Sequence, residues 1–123
     1  MKNKFDYFVD KEVKKKLKCY SIDIPIYKCS VNIIFDKEAK KLEKDWNKST
    51  DGYGGLTRDF LKENGSVLIS FPKSKPKIEY VVHEFYHATN MIMNYIGHKS
   101  DYADEPSAYL IGYLTKEYFN IKR

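Results

Sequence analysis

The chain has 123 residues, 42% of them hydrophobic, which suits one core and is too short for two ordinary domains; a single domain over 1–123 is expected. Its net charge of +5 comes from 22 Lys+Arg against 17 Asp+Glu. Seven of the lysines fall within residues 1–18, so the basicity is a local cluster and not a protein-wide nucleic-acid surface.

No run approaches the roughly 18 apolar residues of a membrane span. The opening MKNKFDYFVDKEVKKK lacks the apolar core of a signal peptide, and a cytoplasmic location is expected. Cys19 and Cys29 form no CxxC pair and read as buried or incidental thiols in a reducing compartment, with a single disulfide as the alternative.

Phe5, Phe8, Val9, Val13 and Leu17 among the lysines suit a short amphipathic helix from about Asp10, a basic N-terminal extension that covers one side of the domain. From Ile22 the apolar period becomes two. Ile22, Ile24 and Ile26 are followed, with a parity shift near Pro25 to Tyr27, by Tyr27, Cys29, Val31, Ile33 and Phe35. The shift predicts a bulge or bend, and Tyr27 to Phe35 is the expected strand. Asp36 is placed to cap a helix over Lys37 to Trp46 with Ala39, Leu42 and Trp46 on one face. The glycine-rich loop Asn47 to Gly55 is not followed by Gly-Lys-Ser/Thr, which excludes a phosphate loop. Asn64-Gly65 between two short apolar runs predicts a hairpin with Phe60 opposite Ile69 and Leu61 opposite Leu68.

The chemistry concentrates in His83-Glu84-Phe85-Tyr86-His87, an HExxH pattern. Ile78, Val81, Val82, Phe85, Ala88, Ile92, Tyr95 and Ile96 recur at three- and four-residue spacing, predicting a helix from about Lys77 to Ile96 that ends at Gly97. On a helix, His83 and His87 stand one turn apart on one face and can converge on a metal. Glu84 then projects close to that metal, where it can take a proton from a bound water.

A catalytic zinc site takes three protein ligands. The candidates downstream are His98, Asp101, Asp104 and Glu105. Spacing favours Glu105, which opens an apparent second helix with Pro106 in its first turn. Ala108 and Gly112 follow it at i+3 and i+7, a small-residue face suited to close approach. The longer HExxHxxGxxH arrangement is excluded, because Asn90 and Met93 stand where glycine and histidine are needed. Tyr102 and Tyr109 flank Glu105 as candidate donors to an oxyanion, as well as ordinary half-buried packing residues.

HEFYH, a 17-residue connection and then ExxA on a helix resemble the gluzincin group of zinc metallopeptidases. The DEPSAYLIGYL segment resembles minimal proteins of that type from phages and mobile elements, distantly similar to ImmA/IrrE-type peptidases. The resemblance covers about the last half of the chain and implies a zincin-like fold. It also implies Zn2+ held by His83, His87 and Glu105, with Glu84 as catalytic base. Tyr109 stands where several gluzincins carry an Asp that orients a ligand histidine, leaving Asp101, Asp104 and Asn90 as candidate supports. By the same resemblance, Val67 to Phe71 is the candidate strand to hold a peptide substrate by edge addition.

The expected architecture is therefore α+β, with a small, largely antiparallel three-stranded sheet on the HExxH helix and the Glu105 helix. The expected activity is zinc-dependent hydrolysis of a peptide or protein substrate. The alternatives are a non-catalytic zinc-stabilised protein-interaction module, and a nucleic-acid accessory acting through the N-terminal lysines.

Overall fold

The computed structural model describes residues 18–45, 54–99 and 101–123, and the expected N-terminal helix and Trp46 lie outside them. Strand β1 (Cys19–Ile24) and strand β2 (Cys29–Phe35) pair antiparallel, Ile22 opposite Val31. The parity shift between them is a reversal of the chain and not a bulge. Pro25 opens a 3-10 turn over Pro25–Tyr27, Lys28 takes a left-handed φ of 53°, and its N–H donates to the Pro25 carbonyl at 3.1 Å. Proline presets the first turn, and one left-handed residue closes it. Ile22 and Ile24 thereby belong to a strand of their own, while Ile26 falls in the turn, and the sheet has four strands instead of three.

Helix α1 (Asp36–Asp45) follows, with Ala39 and Leu42 fully buried on its inner face. Strand β3 (Leu56–Phe60), the single turn α2 (Leu61–Asn64) and strand β4 (Ser66–Phe71) complete the sheet in the order β1-β2-β4-β3. β2 and β4 run parallel, whereas β3 and β4 are antiparallel, so the sheet is mixed and not largely antiparallel. All six residues of β4 are buried, as is Val31 to Phe35 of β2, as expected for inner strands covered on both faces.

Asn64-Gly65 does join two antiparallel strands, but not as a two-residue turn. Asp59 Oδ1 accepts from the Leu61 N–H at 2.9 Å and starts a helical turn. Gly65, at a left-handed φ of 72°, ends it by donating to the Leu61 carbonyl at 3.0 Å. Asn64 Oδ1 then accepts from the Ser66 N–H at 3.1 Å and leads into β4. The longer connection moves the register by three residues: Phe60 lies opposite Ser66, and Ile69 opposite Thr57.

Helix α3 (Ile78–Tyr95) carries the HExxH pattern, and helix α4 (Glu105–Phe119) follows it. α3 ends as Gly97 predicts. Gly97 has φ 79°, its N–H donates to Asn94 O at 3.2 Å, and the His98 N–H donates to Met93 O at 2.9 Å, a Schellman motif. Asp104 caps α4 by accepting from the Ser107 N–H at 3.3 Å.

The core lies between the sheet and these two helices. Val81, Phe85, Ala88 and Ile92 from α3 and Leu110 and Leu114 from α4 pack on Ile22, Val31, Ile33, Val67, Ile69 and Phe71. The buried stripe of α3 is narrower than the apolar spacing predicts, for Ile78, Val82, Tyr95 and Ile96 are exposed. A helix lying on a sheet covers one stripe at i, i+4, i+7 and i+11, and those four residues fall outside it. The Ala108–Gly112 face is exposed too, so α4 meets the core through Leu110 and Leu114 and not through its small residues. A second cluster on the opposite face of the sheet joins Ile34, Leu68 and Phe60 to Ala39 and Leu42.

At the end of the sheet nearest the start of α3, Phe35 stacks on Phe71 with ring centroids 5.7 Å apart, and Tyr118 meets Phe85 edge-on at 5.9 Å. The Arg123 guanidinium lies 3.5 Å over the Phe35 ring. Cys19 and Cys29 form no disulfide. Among the described residues, no helix is long and apolar enough to cross a membrane.

Candidate functional site

His83 and His87 project from the outer face of α3, opposite its buried stripe, and both are exposed. Their Nε2 atoms stand 3.2 Å apart and their ring centroids 4.8 Å apart. Two nitrogen ligands at 2.0–2.1 Å from a tetrahedral metal are separated by about 3.3–3.4 Å, so the pair is spaced to share one ion. Two imidazoles in such contact have one favourable hydrogen bond at most between them, and each retains a nitrogen lone pair in its neutral tautomer.

Glu84 sits on the inner side of this pair and is 5% exposed. Its Oε2 is 3.8 Å from His83 Nε2, within reach of anything the imidazoles hold but not in contact with them. Its Oε1 accepts a hydrogen bond from the Thr57 hydroxyl at 2.7 Å. That hydroxyl also stands 3.4 Å from the Glu84 carbonyl, but it has one proton, and the shorter contact to the carboxylate takes it.

Gly54 and Gly55 let the chain entering β3 lie against α3. A Cβ at Gly55 would stand 2.8 Å from Glu84 Cγ and 3.0 Å from the Phe71 ring, and one at Gly54 would strike the Tyr80 ring. Thr57, Gly54 and Gly55 are the site residues that sequence reasoning misses. The glycines are visible only as part of a loop, and nothing local ties Thr57 to a residue 27 positions away.

β4 cannot be the strand that holds an extended peptide, because β2 and β3 occupy both of its edges. Among the described residues the open edge beside α3 belongs to β3, which carries Thr57.

The remaining candidates gather elsewhere. His98 Nε2 is 2.8 Å from Asp104 Oδ1, and Asp101 Oδ1 accepts from the Ala103 and Asp104 N–H groups at 3.1 and 2.9 Å. These residues stitch the α3–α4 connection and cap α4. Glu105 is exposed in the first turn of α4, beside Asp104 and therefore near the end of α3. α4 runs back from there until Tyr118 reaches Phe85. From His87 to the last residue of α3, Tyr95, is a span of about 12 Å at 1.5 Å per residue, and His98 lies beyond that end. Among the described residues no three His, Cys, Asp or Glu side chains converge to hold a metal. The structure thus brings together His83, Glu84 and His87, and it leaves Glu105 apart from them. Tyr102 and Tyr109 are both well exposed, and Asn90 is on the surface of α3.

Comparison with protein-family models, with curated proteins and with solved structures finds no match to this chain.

Proposed function

We propose that the chain is a zinc-dependent hydrolase of peptide bonds, built on a zincin-like α+β fold. The observation that carries this reading is the arrangement on α3: two exposed imidazole nitrogens 3.2 Å apart, with a buried carboxylate oxygen 3.8 Å from one of them. The donor set fits two positions of a zinc site, and neutral imidazoles are zinc's usual partners. In this reading His83 and His87 hold the ion, and Glu105, which the HExxH…ExxA pattern implies as third ligand, would have to close on the pair from the start of α4, since the two stand apart in this structure. Zinc in such a site would acidify a bound water and polarise a substrate carbonyl.

The chain's own residues account for the rest. Glu84 is placed to accept a proton beside the histidine pair and return it to a leaving amine. The edge of β3 that no described strand covers is suited to align an extended peptide next to Glu84 by main-chain pairing.

Elemental analysis of tag-free protein tests the metal, and digestion of a randomised peptide library read by mass spectrometry tests the chemistry. One zinc per wild-type chain is expected, lost in His87→Ala and weakened in Glu105→Ala. Glu84→Gln should keep its zinc and lose about 100-fold or more in turnover. Undiminished cleavage by Glu84→Gln would overturn the mechanism, and a folded wild type that takes up no zinc would overturn the proposal.

A further inference from the structure

Resting on the hydrolase reading, we propose that Thr57 is the positioning residue for the general base. Its hydroxyl fixes one carboxylate oxygen of Glu84 so that the other faces the histidine pair. The two oxygens of Glu84 are in different situations. Oε1 is bonded to Thr57 at 2.7 Å, a length typical of a charge-assisted O–H···O contact, whereas Oε2 points toward His83. Among the described residues Glu84 has no other partner, and its burial keeps water from replacing one.

A glutamate has three side-chain torsions and does not hold a buried carboxylate in one place unaided. Gly55 limits it from one side, because the glycine Cα lies where any side chain would meet Glu84 Cγ. The Thr57 hydroxyl sets the rotation that remains. A base must lie within hydrogen-bond reach of the proton it takes, so a carboxylate that wanders loses rate even when the metal and substrate are in place.

The test compares Thr57→Val, which replaces the hydroxyl with a methyl of similar shape, with Thr57→Ser, which keeps it. In metal-free, uniformly 13C-labelled protein, three-bond couplings from the Glu84 carboxyl carbon to its Cα and Hβ atoms report the Cβ–Cγ torsion that sets where the carboxylate lies. Wild type and Thr57→Ser should show a single rotamer, and Thr57→Val should show averaged couplings. Zinc stoichiometry should be the same in all three. On a peptide selected from the library, kcat of Thr57→Val should fall about 10- to 100-fold with KM within about twofold, and Thr57→Ser should recover most of it.

Wild-type couplings in Thr57→Val overturn the proposal, as does an equal loss of kcat in both variants, which would mark a merely structural role. A wild type that binds no zinc and cleaves nothing overturns the hydrolase reading and with it the role of Glu84 as a base. The coupling comparison is made without metal or substrate, so it separates that failure from a failure of the Thr57 contact itself.

Discussion

Gly55→Ala offers the sharpest test of how closely β3 must approach α3. The added Cβ would stand 2.8 Å from Glu84 Cγ and 3.0 Å from two atoms of the Phe71 ring. Carbon atoms pack best at about 3.5–4.0 Å, so Glu84 must retreat by about 0.7 Å and Phe71 by about 0.5 Å. Neither yields easily. Glu84 is held by Thr57, and Phe71 is fully buried and stacked on Phe35.

Overpacking of this kind costs about 1–3 kcal/mol. The φ of Gly55 lies outside the left-handed region, so alanine is allowed there and regains about 0.4–1 kcal/mol by restricting the unfolded chain. Overpacking wins, and a net loss of about 1–2 kcal/mol is expected. At about 2.1 cal/mol/K per residue, the unfolding entropy of 123 residues is about 0.26 kcal/mol/K, which converts the loss to a fall in Tm of about 4–8 °C.

Urea unfolding and calorimetry read both quantities. Gly112→Ala is the control, because nothing lies within 4 Å of its added Cβ on the exposed face of α4. There alanine should stabilise by about 0.8–1.0 kcal/mol through helix propensity alone. A Gly55→Ala protein as stable as wild type would refute the claim that the β3–α3 approach is tight.

Further outcomes follow from other parts of the molecule. Asp104→Ala removes the cap of α4 and the partner of His98, at a residue with φ 23°; a loss of about 1–2 kcal/mol in urea unfolding is expected, with Asp104→Asn closer to wild type because asparagine also caps and tolerates positive φ. Arg123→Ala uncovers the Phe35 ring and should lower stability by about 0.5–1 kcal/mol, whereas Arg123→Lys should recover only part of it. Burial holds the Cys29 thiol above its ordinary range, and burial also raises the Tyr118 phenol, against an opposing pull from Arg123. Both groups are neutral in the fold. The stability they contribute is complete below their unfolded values and is lost as pH climbs through the raised ones, so the urea midpoint should drop above about pH 9 and drop less in Cys29→Ala.

What the sequence determines here is local. The ends of α3 and α4 follow from Gly97 and Asp104, which act on their own neighbours through a left-handed residue and a side-chain cap. The spacing of His83 and His87 also follows from the sequence, because four residues on a helix bring two side chains onto one face whatever the helix packs against.

The order of the strands is not local. Alternation in β2 and β4 marks residues that alternate between faces, but it carries no record of which strand lies alongside. The parallel pairing of Val31 with Val67 is settled by how α1 and β3 return the chain. Asn64-Gly65 signals a turn correctly. Its length was decided by Asp59 and Gly65 acting at the two ends of a helical turn, and the register moved with it.

The same division runs through the site. His83, Glu84 and His87 lie on one helix and could be read as a unit. Thr57 meets Glu84 only because β3 is laid against α3, and Gly55 matters only because nothing larger fits between Glu84 and Phe71. Contacts between residues far apart in the chain arise from packing the whole core, and tertiary structure alone decides them.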